Sequence, residues 1–127
     1  MSTYVSVRGW VECDDRQLAL VRELVERAER GPRRYRGGWS FPAEQPMWGN
    51  AVFFAADLRA GEEEHLRELL CRIAALPPSA PMREEDDDER VHGLFLVSHE
   101  ADGPSEWRLH GGGLHRAPLP AEHAYLV

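Results

Sequence analysis

Lysine is absent from this chain: all 15 of its Lys-plus-Arg residues are arginine. That excludes Schiff-base lysine chemistry, a pyridoxal-phosphate anchor and a Walker-A phosphate loop, each of which depends on an ε-amine. Cysteine is scarce. Cys13 and Cys71 are the only two, too few for a disulfide framework and without metal-type spacing, so they read as free packed thiols of a reducing compartment. Long apolar runs are missing as well. Nothing in the sequence is long enough to cross a membrane, and Met1 to Trp10 lacks the apolar core of a signal peptide. The expectation is a soluble cytoplasmic protein with no membrane partner, a single domain over its 127 residues with enough length for a real core.

Basic excess is lacking too. The formal charge is −7, from 22 acids. Glu84, Glu85, Asp86, Asp87, Asp88 and Glu89 form one unbroken acidic run, and the rest of the chain carries 16 acids against 15 arginines. A nearly neutral body with one acidic patch has no footprint for neutralising phosphates, which argues against nucleic acid. A basic protein suits it better. The run lacks the Asp-x-Asp-x-Asp-Gly order of a calcium loop, and it reads first as a solvated, flexible loop over residues 79–90.

Hydrophobic periodicity supplies the elements. From Tyr4 to Glu12, Val5, Val7 and Val11 alternate with Tyr4, Ser6, Arg8, Trp10 and Glu12, the pattern of a strand with one core face and one open face. Asp14 stands three residues before Gln17, a capping-box spacing, ahead of Leu18, Val21, Val25 and Ala28 at helical intervals. Gly31-Pro32 ends that helix. Tyr35 to Phe41 and Asn50 to Leu58 read as strands, with Trp39 to Phe54 forming a long hairpin. Glu62, Glu63 and Glu64 open a second helix, striped with Leu66, Leu69, Leu70 and Ile73 and stopped by Pro77-Pro78. Val91 to Ser98 is a strand, Asp102-Gly103 a turn, and Trp107 and Leu109 belong to a last strand pair around Gly111-Gly112-Gly113. Residues 118–127 form an irregular tail whose Tyr125, Leu126 and Val127 are able to dock on the body. The expected fold is α+β: a ferredoxin-like β-α-β-β-α-β sandwich with an extra C-terminal strand or hairpin.

No catalytic constellation stands out. The six histidines are scattered, with no HxxxH and no CxxC, so no metal site and no cofactor are expected. His92 and His99, seven apart on one strand, point to opposite faces. Cys13 precedes Asp14 and Asp15, carboxylates that raise a thiol pKa. The glycine pair Gly37-Gly38 and the triplet at 111–113 do not open a helix after a strand, so they are turns or bulges and not phosphate loops. The tryptophans are more informative. Trp10, Trp39, Trp48 and Trp107, with Arg8 at the edge, would make an aromatic patch on an uncovered sheet face, and Trp and Arg are the residues that most often anchor protein interfaces. The alternatives are that the C-terminal segment or a second copy of the chain covers that face.

The segments VRGWVECDDRQLALVRELV, YRGGWSFP followed by AVFFAADLR, and VHGLFLVSHE resemble small bacterial immunity proteins of polymorphic toxin systems. The resemblance implies a protein that acts without a cofactor by binding and blocking a toxin domain, and it carries over no individual site residue. The leading expectation is a non-enzymatic binding protein. Arg8, Trp10, Trp39, Trp48 and Trp107 would contact a basic toxin domain, and Glu84 to Glu89 would steer it. The alternative is a small-molecule-binding protein or cofactor-free enzyme with a pocket on the open face, lined by Trp10, Trp39, His92 and Trp107.

Overall fold

The computed structural model describes residues 3–31, 37–43, 49–78 and 90–127. Trp48 and the acidic run at 84–89 lie outside the described residues. Along the chain come β1 (Tyr4–Cys13), α1 (Asp15–Glu29), β2 (Trp39–Ser40), β3 (Asn50–Arg59), α2 (Glu62–Ala74), β4 (His92–His99), β5 (Gly103–His110) and β6 (Gly113–Pro118), then a 3₁₀ turn over Ala121–Leu126. The class is α+β. Among the described residues, six strands form one open antiparallel sheet in the order β2-β3-β1-β4-β5-β6. The expected C-terminal addition is a whole hairpin, β5 and β6, which continues the sheet beyond β4.

The alternation in β1 fixes the faces of the sheet. Val5, Val7, Val11 and Cys13 are buried, while Tyr4, Arg8, Trp10 and Glu12 point away. Strand β3 runs antiparallel in matching phase, so Val5 opposes Leu58, Val7 opposes Ala56 and Val11 opposes Val52. These cross-strand pairs share one face. Both helices cover it: Val21 and Val25 of α1 and Leu66, Leu69, Leu70, Ile73 and Ala74 of α2 join the strand residues in one core cluster. A sheet packed on one side only is the usual condition of antiparallel strands.

Local chemistry sets the element ends. Asp14 Oδ1 accepts from Gln17 N at 2.8 Å, and Gln17 Oε1 accepts from Asp14 N at 2.9 Å, completing the capping box at α1. Gln17 is itself buried, and its Nε2 donates to Pro77 O at 3.3 Å. It thereby ties the start of α1 to the chain that leaves α2. At α2 the cap is Gly61, with φ 103° and no side-chain cap bond; Glu63 Oε2 accepts from Gly61 N at 2.6 Å instead. The β5–β6 turn places Gly111 and Gly112 at φ 59° and 85°, the two successive positive angles of a type I′ hairpin turn.

Two expectations change. The long hairpin from Trp39 is short: β2 pairs through Trp39↔Phe54 and Ser40↔Phe53 alone. The last residues do not dock, because Tyr125, Leu126 and Val127 are all exposed.

Candidate functional site

The side of the sheet away from the helices is built in rows, each crossing several strands. One row runs Phe53–Trp10–Leu94–Arg108–His115 across β3, β1, β4, β5 and β6. The next runs Ala55–Arg8–Leu96–Glu106–Ala117. Phe53 and Trp10 are 46% and 38% exposed, and Leu94 and Leu96 are half-buried. The centre of this face is thus an aromatic pair continued by two leucines, with no described element over it.

Several charges on the face are paired within the chain. Arg8 Nη2 lies 3.1 Å from Asp57 Oδ1, and Arg8 Nη1 donates to Val7 O and Ala56 O, each at 2.9 Å. Glu106 is only 3% exposed. Its Oε1 accepts from Arg108 Nε at 2.8 Å and from Arg108 Nη2, which compensates a carboxylate that would otherwise be costly to desolvate. His92 Nε2 and Glu12 Oε2 are 2.8 Å apart.

Of the described tryptophans expected here, Trp10 alone is found on this face. Trp107 is 2% exposed and belongs to the helix-side core. It opposes the fully buried Phe95 in register, and the Arg116 guanidinium lies 5.2 Å from its ring centroid. Trp39 also faces the helices, its ring 5.0 Å from that of Phe54. The expected patch is therefore divided by the sheet, and so is the pocket of the alternative reading: Trp10 and His92 lie on the bare face, Trp39 and Trp107 behind it. Trp48 and Glu84, Glu85, Asp86, Asp87, Asp88 and Glu89 lie outside the described residues.

Phe53, Leu94 and Leu96 were not expected on this surface. The apolar triplets Val52-Phe53-Phe54 and Leu94-Phe95-Leu96 mask the alternation that would have revealed them. The signal was the phase of the flanking residues: Asp57 and Arg59 share Phe53's parity, as His92 shares that of Leu94.

Among the described residues, titratable groups do not assemble into a reactive centre. His92 and His99 occupy opposite faces, as their spacing requires. The rings of His110 and His115 stack at 4.3 Å, and His115 Nε2 lies 3.3 Å from His110 O. Among the described residues no group of three or more His, Cys, Asp or Glu side chains is placed to hold a metal ion. Burial pushes the Cys13 thiol up to about 11, with Asp14 and Asp15 adding to the shift. A thiol held protonated in this way is not a nucleophile at neutral pH. Cys71 is half-buried beside Glu64, Arg67 and Arg116, where both guanidinium groups contact Glu64 and hold its carboxyl below the usual range. No helix among the described residues is long and apolar enough to cross a membrane.

No protein-family model, curated protein or solved structure matches the chain.

Proposed function

We propose that this chain is a binding protein whose bare sheet face docks a protein partner, and that the partner is a toxin domain neutralised by the contact. The observation that carries the reading is the Phe53–Trp10–Leu94 row. Large aromatics left in solvent beside leucines, bordered by the pairs Arg8–Asp57 and Arg108–Glu106, have the composition of an interface centre: apolar and desolvatable, with a polar rim. The resemblance of VRGWVECDDRQLALVRELV and its companion segments to bacterial immunity proteins supplies the toxin. The net charge of −7 favours a basic one through faster encounter. Action in the bacterial cytoplasm belongs to the same reading. So does a ferredoxin-like origin of the fold: β1 lies between β3 and β4 with β2 outside β3, the arrangement in which each helix links two strands that are not neighbours.

The test is co-production with the product of a neighbouring toxin reading frame. The expected result is rescued growth and a stable complex, both lost in Trp10→Arg and in Phe53→Arg while the thermal midpoint of the free chain holds. Rescue undiminished in both variants would remove the bare face from the proposal. A dimer of this chain that is broken by the same substitutions would replace the toxin with a second copy.

A further inference from the structure

We infer that the depression beside Tyr4 on the bare face is the seat of an arginine side chain projecting from the protein partner. The inference rests on the docking reading above and names the chemistry of one contact in it.

The depression encloses about 480 Å³ and is lined by Tyr4 and Ser6 of β1, Asp57 of β3, Ser98 of β4 and Glu100 in the turn that follows. That volume falls within the range of sites that hold a ligand group. Ser6 sits between its register partners Asp57 and Ser98, so three polar side chains stand in one row across three strands. Glu100 Oε2 accepts from Tyr4 N at 3.1 Å, and Arg8 takes Asp57 Oδ1. Among the described residues, Asp57 Oδ2, Glu100 Oε1, both serine hydroxyls and the Tyr4 hydroxyl have no intramolecular hydrogen-bond partner. Five residues with groups able to accept hydrogen bonds line one open depression, and two of them are carboxylates.

Unspent acceptors on two carboxylates, of which Asp57 alone has a cationic partner among the described residues, suit a cation that is also a multiple donor. A guanidinium has five N–H donors in a planar fork, whereas an ammonium is a compact point charge with three. Acceptors distributed over three strands match the fork. The Tyr4 ring, 41% exposed, adds an aromatic surface for a cation to lie on. Two like charges stand nearby. Arg8 is committed to Asp57, and the exposed Arg59 opposes Tyr4 in register; the latter works against a bound cation. Ser6 and Trp10 point the same way four residues apart on β1, so the partner's arginine falls about 13 Å from the group that covers Trp10.

The experiment is a titration of the full chain with Nα-acetyl-L-arginine amide, followed through the backbone amides of Ser6, Ser98 and Glu100. Nα-acetyl-L-citrulline amide serves as the uncharged isostere. Saturable shifts are expected with arginine, about tenfold weaker with citrulline, since charge-assisted hydrogen bonds are the ones lost. The double variant Asp57→Asn, Glu100→Gln keeps an acceptor for Arg8 and for Tyr4 N, and it should lose the same factor with an unchanged thermal midpoint. Arg59→Gln should tighten binding. Equal response to citrulline, or undiminished binding in the double variant, overturns the inference. The docking reading fails separately. If a toxin complex forms and Trp10→Arg breaks it while the double variant does not, the arginine seat falls and the docking face stands. If no toxin complex forms, the arginine titration still decides the seat.

Discussion

The ring of Phe95 occupies the space that a side chain at Gly9 would need. The two residues oppose each other in the β1–β4 register, and a Cβ built on Gly9 would stand 2.5 Å from Phe95 Cδ1 and against Leu94 O. Phe95 is fully buried, so the ring has nowhere to withdraw. Gly9 therefore serves as the slot across which the largest fully buried side chain of the core lies.

Gly9→Ala should accordingly destabilise the fold by about 1–3 kcal/mol, the usual cost of overpacking a core. Gly93→Ala should cost at least as much. A Cβ there would meet Trp10 O and stand 2.9 Å from Val11 Cα, and backbone atoms cannot rotate aside. Urea unfolding followed by circular dichroism reads both, as lowered midpoints at unchanged slope. A wild-type midpoint in either variant would show that the β1–β4 contact is looser than described.

The capping box gives a second prediction. Asp14→Ala removes one side-chain acceptor at the start of α1 and should cost about 1 kcal/mol. Gln17→Ala should cost more. It removes the reciprocal bond to Asp14 N, the bond to Pro77 O and a buried side chain together. Gln17→Leu keeps the bulk and loses only the bonds, so it should fall between them if the link to Pro77 matters. Urea midpoints of the three variants supply the ranking.

Much of this fold is legible in the chain because two local codes are written cleanly there. The inward positions of β1 are valines broken only by Gly9, and the Asp14–Gln17 spacing marks the start of α1 to the residue. What defeats reading is local ambiguity about faces. Trp107 sits between Glu106 and Arg108 and looks like part of a polar strand, yet it is core; Glu106, on the other face, is buried under its own salt bridge to Arg108. Trp39 is assigned to a strand correctly, but its face depends on the register with β3, which two paired residues set from across the sheet. The candidate site suffered most, since a surface made from every second residue of several strands has no contiguous signature.

Cys13 supplies a prediction about pH. In the folded chain its thiol is pushed from 9.0 to about 11 by burial, then by Asp14 and Asp15. A raised thiol pKa means the native state keeps its proton after the unfolded chain has lost it. This contribution to stability is constant below pH 9 and falls as pH rises from 9 toward 11. Cys13→Ser retains a donor toward Asn50 O, which Cys13 Sγ approaches at 3.8 Å, and removes the titration. Over that interval the wild type should lose stability relative to the serine variant. In Ellman's assay at pH 8 the native protein should offer Cys71 alone, with Cys13 reacting on unfolding.

Trp10 and Trp107 separate binding from folding. Trp107 is 2% exposed, packed in the core beneath Arg116, and truncation to alanine should cost roughly 3–5 kcal/mol. Trp10, with over a third of its surface free and no core contact assigned to it, should cost less than about 1 kcal/mol on the same truncation. The two residues have the same chemistry and lie on neighbouring parts of one sheet, so the contrast isolates the face they occupy. Acrylamide quenching in a Trp48→Phe background adds an independent reading: Trp10→Phe should reduce the readily quenched fraction of the fluorescence, and Trp107→Phe should leave that fraction in place. If Trp10→Ala instead unfolds the protein as Trp107→Ala does, Trp10 is part of the core, and the bare face loses the aromatic on which its proposed function depends.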